Sequence, residues 1–464
     1  YLSGFDADTL VEKIAYVPAT VFRNLDALTN TNYTHQYYVD GSPTIEDAYF
    51  QGDNKWHTVL VSGLNNGGQG VFALDITDPG GFSETGTAPA KVVLWEFNDA
   101  DDADMGYSYS QPAIVRMQNG QWAAVFGNGY NNRDADGSRN DDTVTGGNAY
   151  LYIVNIEDGS LIRKIDTGVG TNSTPNGLAT PAVIDTNGDF IADAIYAGDL
   201  NGNMWKFDVS STDPALWDVA FYNTAVPPVA EPLYIAMDSS GNRQPITTRP
   251  DVSRGPNGLY VMVFFGTGRY LGSPDLTDTS TQTFYGILDS GSRFTGRTDL
   301  VEQTVTYQDS NYRVTSTNPQ TTTSRGWYLD LPDTGERTVA NPLLRAGRII
   351  FVTTIPDSNI CSAGGDSWLM ELNALTGSKL NVTPFDLNND ALFSLEDYID
   401  TDGDGTKDTA VAGVKFDELI PTPGILPDED TEYKYTSDSS GNLDVTVENP
   451  GPRNVGRQSW GQLR

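Results

Sequence analysis

The chain has 464 residues, enough for a large core, and sets 62 acidic against 28 basic side chains for a formal net charge of −34. A field of that sign repels phosphate backbones and anionic lipid surfaces, which excludes nucleic acid as a partner and makes divalent cations the natural counter-ligands. With 47 Gly, 25 Pro, 23 Tyr and 38% hydrophobic residues, the composition is that of strands joined by many turns, and no stretch approaches the ~20 apolar residues of a membrane-spanning helix.

The first residue is Tyr1, with no initiator Met and no apolar leader, which reads as a processed product or a fragment of a longer protein. Residues 11–28 place apolar side chains at partly helical spacing, interrupted by Pro18. Residues 35–50 read as strand, Gly-Ser-Pro turn, strand. From Trp56 onward the pattern is one of strand pairs: residues 56–62 and 70–76 around a glycine-rich turn, then QWAAVFGNGYNN with NAYLYIVNIEDG, then DAIYAGDLNGNMWKFD. LYVMVFFGTGRYLG with QTFYGILDSG and RIIFVTTIPDS with GDSWLMELNALTG continue it. Each copy ends in Asp or Asn, at Asp75, Asn155, Asp208, Asp289 and Asn373, so the intervals are 80, 53, 81 and 84 residues.

Repeats of small antiparallel sheets bury their faces against their neighbours, and the expected architecture is all-β: a modified β-propeller of about seven irregular blades, within the usual range of about four to eight. The competing reading is an irregular multi-sheet β protein. Three long polar loops interrupt the rhythm, at residues 128–147, 214–250 and 386–427. The expected organisation is one propeller domain over residues 1–464 with an acidic insertion at 384–430.

Within that frame one stretch stands out, the run DTNGDFIAD at residues 185–193. It puts side-chain oxygens at Asp185, Asn187, Asp189 and Asp193, with the Ile191 carbonyl in phase. Hard cations such as calcium take six to eight oxygens, and alternate positions of a tightly wound loop aim theirs inward. A plain hydrophilic turn would also use Asp, Asn and Gly. Against it stand the four in-phase oxygens and the apolar brackets, ATPAVI before and AIYAG after.

The insertion holds two further loops of this type. In DLNNDALFSLED, Asp386, Asn388, Asp390, Ser394 and Asp397 fall at loop positions 1, 3, 5, 9 and 12, with the Leu392 backbone at 7. Ala391 stands where the register expects Gly, and Asp397 replaces Glu. Directly after it, DTDGDGTKD presents Asp400, Asp402, Asp404 and Asp408 around the Thr406 carbonyl. These two are secondary candidates, since a solvated acidic loop would have the same composition. The acidic stretch around Asp134 reads as loop.

Catalytic motifs are missing. The two histidines, His35 and His57, are far apart; there is no H-E-x-x-H zinc helix, no G-x-S-x-G elbow and no phosphate-binding loop, since residues 265–272 read as a blade turn. Carboxylate pairs of glycosidase type are too abundant in so acidic a chain to inform. Cys361 is the single cysteine, so no disulfide closes within the segment. The turns NIEDG and NALTG resemble quinoprotein propeller repeats, but Arg163 and Lys164 occupy the place where those repeats carry a Trp, and the vicinal cysteine pair is missing. That likeness supports the fold and argues against a quinone cofactor. A quinone-dependent or carbohydrate-active propeller enzyme remains the alternative to a binding module.

Taken in order, HQYYVDGSPTIEDAYF, VSGLNNGGQGVFALDITDP, ATPAVIDTNGDFIADAIYAGDLNGNMWKFD, RGWYLDLPDTGERT, CSAGGDSWLMELNALTG and the terminal GRQSWGQL resemble the C-terminal domain of the PilY/PilC family of type IV pilus-associated adhesins and biogenesis factors. The resemblance implies a modified β-propeller at the end of a larger exported protein, carried through periplasm and outer membrane to the bacterial cell surface and pilus tip. It implies pilins and a host or abiotic surface as partners, a role in pilus extension and retraction, twitching motility and adhesion, and no enzyme activity. It also implies calcium as the cofactor, because the family's regulatory calcium loop maps onto Asp185, Asn187, Asp189, Ile191 and Asp193. Phe190 departs from the pattern by standing where a small residue would ease the turn. No Arg-Gly-Asp triplet occurs, so an integrin-type motif is not carried over.

Overall fold

Strands dominate the computed structural model, which describes residues 1–464 apart from 23, 88, 133–146, 358–363, 429–430 and 452–464. Cys361, the stretch around Asp134 and the terminal GRQSWGQL run lie outside the described residues. Two compact units share the rest: the first takes in residues 1–200 and 204–232, the second residues 201–203 and those from 233 onward. The described residues form seven sheets, five of them with four or more strands.

The first unit opens with a hairpin, β1 (Leu2–Phe5) against β2 (Glu12–Tyr16). A four-stranded antiparallel sheet follows in chain order, β3 (Thr44–Phe50), β4 (Lys55–Gly63), β5 (Gly70–Asp75) and β6 (Val93–Asn98). The second sheet repeats it with β7 (Ala113–Arg116), β8 (Trp122–Gly127), β9 (Asn148–Asn155) and β10 (Leu161–Gly170). The third runs β11 (Ala182–Ile184), β12 (Ala194–Gly198), β13 (Asn203–Asp208) and β14 (Asp218–Val219). Up-and-down sheets of this kind are the blades of a propeller.

The second sheet shows why its strands read as unbroken apolar runs. Successive side chains of a strand point to opposite faces. In β9, Ala149, Leu151 and Ile153 join Trp205 and Phe207 of β13 in one core, while Tyr150, Tyr152 and Val154 join Val59, Val71 and Phe97 of the first sheet in another. Both faces are buried, so neither can be polar.

In the second unit, a sheet ordered Asp251–Arg254, Val261–Gly266, Thr283–Asp289, Gly326–Asp330 and Val301–Gln303 packs through Phe264, Phe284 and Trp327 against Phe351 and Met370 of the next sheet. That next sheet pairs Gly365–Asn373 directly with Gly413–Phe416, so the candidate loops at 386–408 are the connection between two neighbouring strands. The tail of the stretch read as an insertion is therefore strand, at Gly413–Phe416 and again at Gly424–Pro427.

The turns that resemble quinoprotein repeats do meet a tryptophan, but it comes from a neighbouring sheet. Trp95 of β6 donates its indole N–H to the Ile156 carbonyl at 2.9 Å, and a Cβ on Gly159 would lie 2.7 Å from the Trp95 ring. Trp327 does the same to Ala374 at 2.9 Å, with Gly377 beneath it. Both glycines have positive φ, +73° and +70°, so the turn and the stacking each demand Gly.

Two expectations for the N-terminal region change. Residues 11–28 divide into β2, one α-helical turn at Ala19–Phe22 and a 3₁₀ turn at Leu25–Thr29, with Pro18 at the break. Of residues 35–50 only β3 is strand. The first half lies as a covering loop, its Gly41 so close to β4 that a Cβ would fall 2.1 Å from the Gly63 carbonyl oxygen.

Candidate metal centre

Residues 185–193 connect β11 to β12, and both strands are buried throughout. The ladder closes beneath the loop where Asp193 N–H donates to the Ile184 carbonyl at 2.9 Å. Above it the backbone winds around its own side chains. Asp185 Oδ1 accepts from the N–H of Asn187 (3.0 Å) and Gly188 (2.6 Å), and its Oδ2 accepts from Phe190 N–H at 2.7 Å. Asn187 Oδ1 accepts from Asp189 N–H and Asp189 Oδ1 from Ile191 N–H, both at 2.9 Å. The winding needs left-handed residues at its fourth and sixth positions, which are Gly188 (φ +90°) and Phe190 (φ +65°). Phe190 holds that conformation with its ring 66% exposed, so no burial offsets the strain.

The same backbone recurs twice. At 386–397, Asp386 Oδ2 accepts from Ala391 N–H at 2.8 Å, Asn388 Oδ1 from Asp390 N–H at 3.0 Å and Asp390 Oδ1 from Leu392 N–H at 2.8 Å, with Asn389 and Ala391 at φ +59° and +60°. At 400–408, Asp400 Oδ2 accepts from Gly405 N–H at 2.9 Å, Asp402 from Asp404 N–H at 3.1 Å and Asp404 from Thr406 N–H at 2.7 Å, with Gly403 and Gly405 at φ +79° and +91°. The N–H groups of Gly405 and Gly403 hold the Asp400 carboxyl below its ordinary pKa. Three different sequences thus make one loop, with first, third and fifth side chains gathered by the chain itself.

The closing residues differ. Carboxylate oxygens of Asp386, Asp390 and Asp397 lie within 4.8 Å of one another, as do those of Asp400, Asp402 and Asp404. Asp397 is fully buried; its Oδ1 accepts from Leu387 N–H and its Oδ2 from Ser394 N–H, both at 2.9 Å. The carboxylates of Asp185, Asp189 and Asp193 do not gather that tightly. Asp193, 7% exposed, turns one oxygen to Thr186, N–H at 2.9 Å and hydroxyl at 2.6 Å, and the other to Gln118 Nε2 at 3.0 Å and Asn187 Nδ2 at 3.5 Å. Asp408 lies outside its cluster, its Oδ1 accepting from the Thr409 hydroxyl at 3.0 Å.

The donor set is all oxygen, carboxylate and amide with a carbonyl in register, which fits a hard cation and suits calcium better than a transition metal. Carboxylates gathered this closely repel one another, most at the buried Asp397 and least at the solvent-screened Asp402 and Asp404, and a cation between them would relieve that repulsion.

Comparison with known proteins places this fold. The PilY1 β-propeller domain family matches residues 2–318. The chain belongs to that family. It is 41% identical to a type IV pilus biogenesis factor PilY1 homolog of Xylella fastidiosa over 81% of this chain and 25% of that protein. It is 35% identical to the type IV pilus biogenesis factor PilY1 of Pseudomonas aeruginosa over 99% of this chain and 40% of that protein. The crystal structure of the Pseudomonas aeruginosa PilY1 C-terminal domain superposes with a TM-score of 0.76 at 31% identity, covering 97% of this chain and 90% of that one. The chain thus spans well under half the length of these PilY1 relatives. They are named for a non-enzymatic role, which agrees with the lack of a catalytic constellation in the sequence.

Several contributors to these candidate sites carry no sequence signal. Gln118 sits in the turn between β7 and β8, 75 residues from the Asp193 it contacts. Ala192 N–H donates to the Arg116 carbonyl at 2.9 Å, a second tie from the loop to the second sheet. Glu396 Oε2 accepts from Asn388 Nδ2 at 3.2 Å, although position 11 of such a loop is not a ligand position. His57 takes a structural place, its ring stacked on Phe50 at 4.1 Å and its Nδ1 2.7 Å from Asp75.

Proposed function

We propose that this domain is the calcium-binding module of a type IV pilus biogenesis factor and tip-associated adhesin. Calcium at residues 185–193 sets the balance between pilus extension and retraction, and through it twitching motility and surface attachment. The protein works at the bacterial cell surface, after export through periplasm and outer membrane, with pilins and a host or abiotic surface as partners. The observation that carries this reading is the single loop backbone made at three separate places in the chain, which presents oxygens at alternate positions on a fold shared with PilY1 relatives.

Asp185, Asn187 and Asp189 supply side-chain oxygens and Ile191 its carbonyl, while Asp193 anchors the loop to Gln118. Bound calcium supplies the positive charge that lets these oxygens converge. Their convergence pulls on a loop fastened to the second sheet at Arg116 and Gln118, so occupancy is read by two sheets at once. Asp386, Asn388, Asp390 and Asp397, and then Asp400, Asp402 and Asp404 with Asp408, hold further ions that staple the connection between neighbouring strands.

Titration calorimetry tests the assignment. Asp185→Ala, Asp386→Ala and Asp400→Ala should each lower the calcium stoichiometry by one, and an unchanged stoichiometry in all of them sinks it. In the intact factor, Asp185→Ala should alter twitching while leaving protein at the cell surface; normal twitching with binding lost would separate calcium from motility.

A further inference from the structure

A buried pair of oxygens without hydrogen-bond partners lies away from these loops, at the start of the acidic strap that leaves the first sheet. Gly70 of β5 pairs with Asn98 of β6, so Gln69 and Asp99 form the next directly opposed pair, held by Asp99 N–H donating to the Gln69 carbonyl at 3.2 Å. Side chains of such a pair leave on the same face with Cβ atoms about 5 Å apart. Both are buried, Gln69 at 3% and Asp99 at 7% exposure. Gln69 Oε1 and Asp99 Oδ2 are buried acceptors without a hydrogen-bond donor.

The amide cannot be turned to relieve this. Gln69 Nε2 donates to the Met105 carbonyl at 3.0 Å, and a flip would set oxygen against oxygen there. The cation that the strap does hold, Lys164, is engaged by both oxygens of Asp102 and by Asp104. A water could donate to both orphaned oxygens, but it would leave the Asp99 charge uncompensated in a segment that also carries Asp101, Asp102 and Asp104. Desolvating a carboxylate oxygen such as Asp99 Oδ2 with neither donor nor cation beside it costs more than leaving a dipole unpaired.

We propose that Asp99 and Gln69 are ligands of a hard divalent cation of the calcium class, held at the junction of β5, β6 and the strap. The ion fastens the first sheet to a segment whose Asp102 and Asp104 grip Lys164 of β10 in the second sheet. The site rests on residues outside the three loops and stands or falls apart from them.

The test uses the Asp185→Ala/Asp386→Ala/Asp400→Ala chain, with the loop sites disabled. Calcium titration of that chain should still show one ion per chain, and adding Asp99→Asn should remove it. Asp99→Asn removes the charge at nearly constant shape, so near-UV circular dichroism in chelator should be unchanged. No residual binding in the loop-disabled chain, or residual binding that survives Asp99→Asn, overturns the site. If the multiple variant does not fold, wild-type crystals grown with calcium decide: an anomalous peak between Asp99 Oδ2 and Gln69 Oε1 supports the site, and water alone there overturns it.

Discussion

The loop at 185–193 and the loop at 386–397 wind identically and are fastened differently. In each, the first carboxylate takes the N–H of the sixth residue, at 2.7 and 2.8 Å, and residues four and six have positive φ. The insertion loop then closes on itself: Asp397 caps its own 3₁₀ turn and faces Asp386 and Asp390. The blade loop closes on a neighbour, through Gln118 in the adjoining sheet. An ion in the first kind of loop stiffens a local excursion. In the second kind, under the proposed function, it would bear on two sheets at once, which is what a control point requires.

The sharpest way to break this comparison is to remove the closing residue. Asp193→Ala leaves Thr186 N–H and the Gln118 amide without their charged acceptor in a buried setting, which should cost about 3 kcal/mol in urea unfolding even in chelator. Asp185→Ala, whose N–H partners can turn to water, should cost about 1 kcal/mol under the same conditions. Equal costs would mean that Asp193 is only a loop residue. Asp193→Ala is therefore a poor probe of binding alone, since it disturbs the fold as well.

Calcium removal comes next. With free ion at about 100 times the dissociation constant, one site contributes about 2.7 kcal/mol of stability, so chelator should lower Tm visibly in wild type and less in Asp185→Ala. Gln118→Leu should leave the calcium stoichiometry at 185–193 intact but weaken hydrogen-exchange protection of β7 and β8, a transmission that no substitution in the insertion loop should reproduce.

A smaller effect comes from the strained positions. Phe190 and Ala391 both adopt a left-handed conformation that suits Gly. Phe190→Gly and Ala391→Gly should each stabilise the apo chain by about 0.5 kcal/mol, the relief of roughly 1 kcal/mol of strain less the entropy cost of glycine. Each should also tighten calcium at its own loop. Destabilisation in both would show that the left-handed φ at these two positions carries no strain that glycine relieves.

How far the sequence carried these conclusions varies with the range of the contacts involved. The blades were legible because residues such as 149–154 are apolar on both faces, and only a strand between two sheets needs that. The winding of all three loops was legible too, since it depends on side chains bonding to N–H groups two to five residues away. Non-local fastening was not: nothing near Gln118 marks it as a partner of Asp193. Quinoprotein repeats carry their tryptophan just after the glycine, a place filled here by Arg163 and Lys164, whereas Trp95 reaches Gly159 from 64 residues earlier. Residues 35–41 look strand-like from Tyr37, Tyr38 and Val39, yet the close approach at Gly41 makes them a covering loop. The Gln69–Asp99 pair had no motif at all, because its meaning appears only once β5 and β6 are in register.

The smallest predicted effect separates the insertion's two loops. Backbone N–H groups of Gly405 and Gly403 hold the Asp400 carboxyl below its ordinary value. A carboxylate lowered by folding adds stability above its unfolded pKa, and that stability is lost as pH falls through the lower, folded value. Because Asp400 is open to solvent, the contribution to global stability is slight. The readout is therefore local: in calcium-free protein the Asp400 carboxyl carbon, followed by NMR, should titrate below the ordinary value for an aspartate side chain. Replacing Gly405 by Pro, which removes the N–H that Asp400 Oδ2 accepts and cannot hold the +91° φ of the winding, should move that titration back up. If it stays low, the carboxylate is held by something other than the loop's own backbone, and the shared winding of the three loops would no longer explain how their oxygens are gathered before any ion arrives.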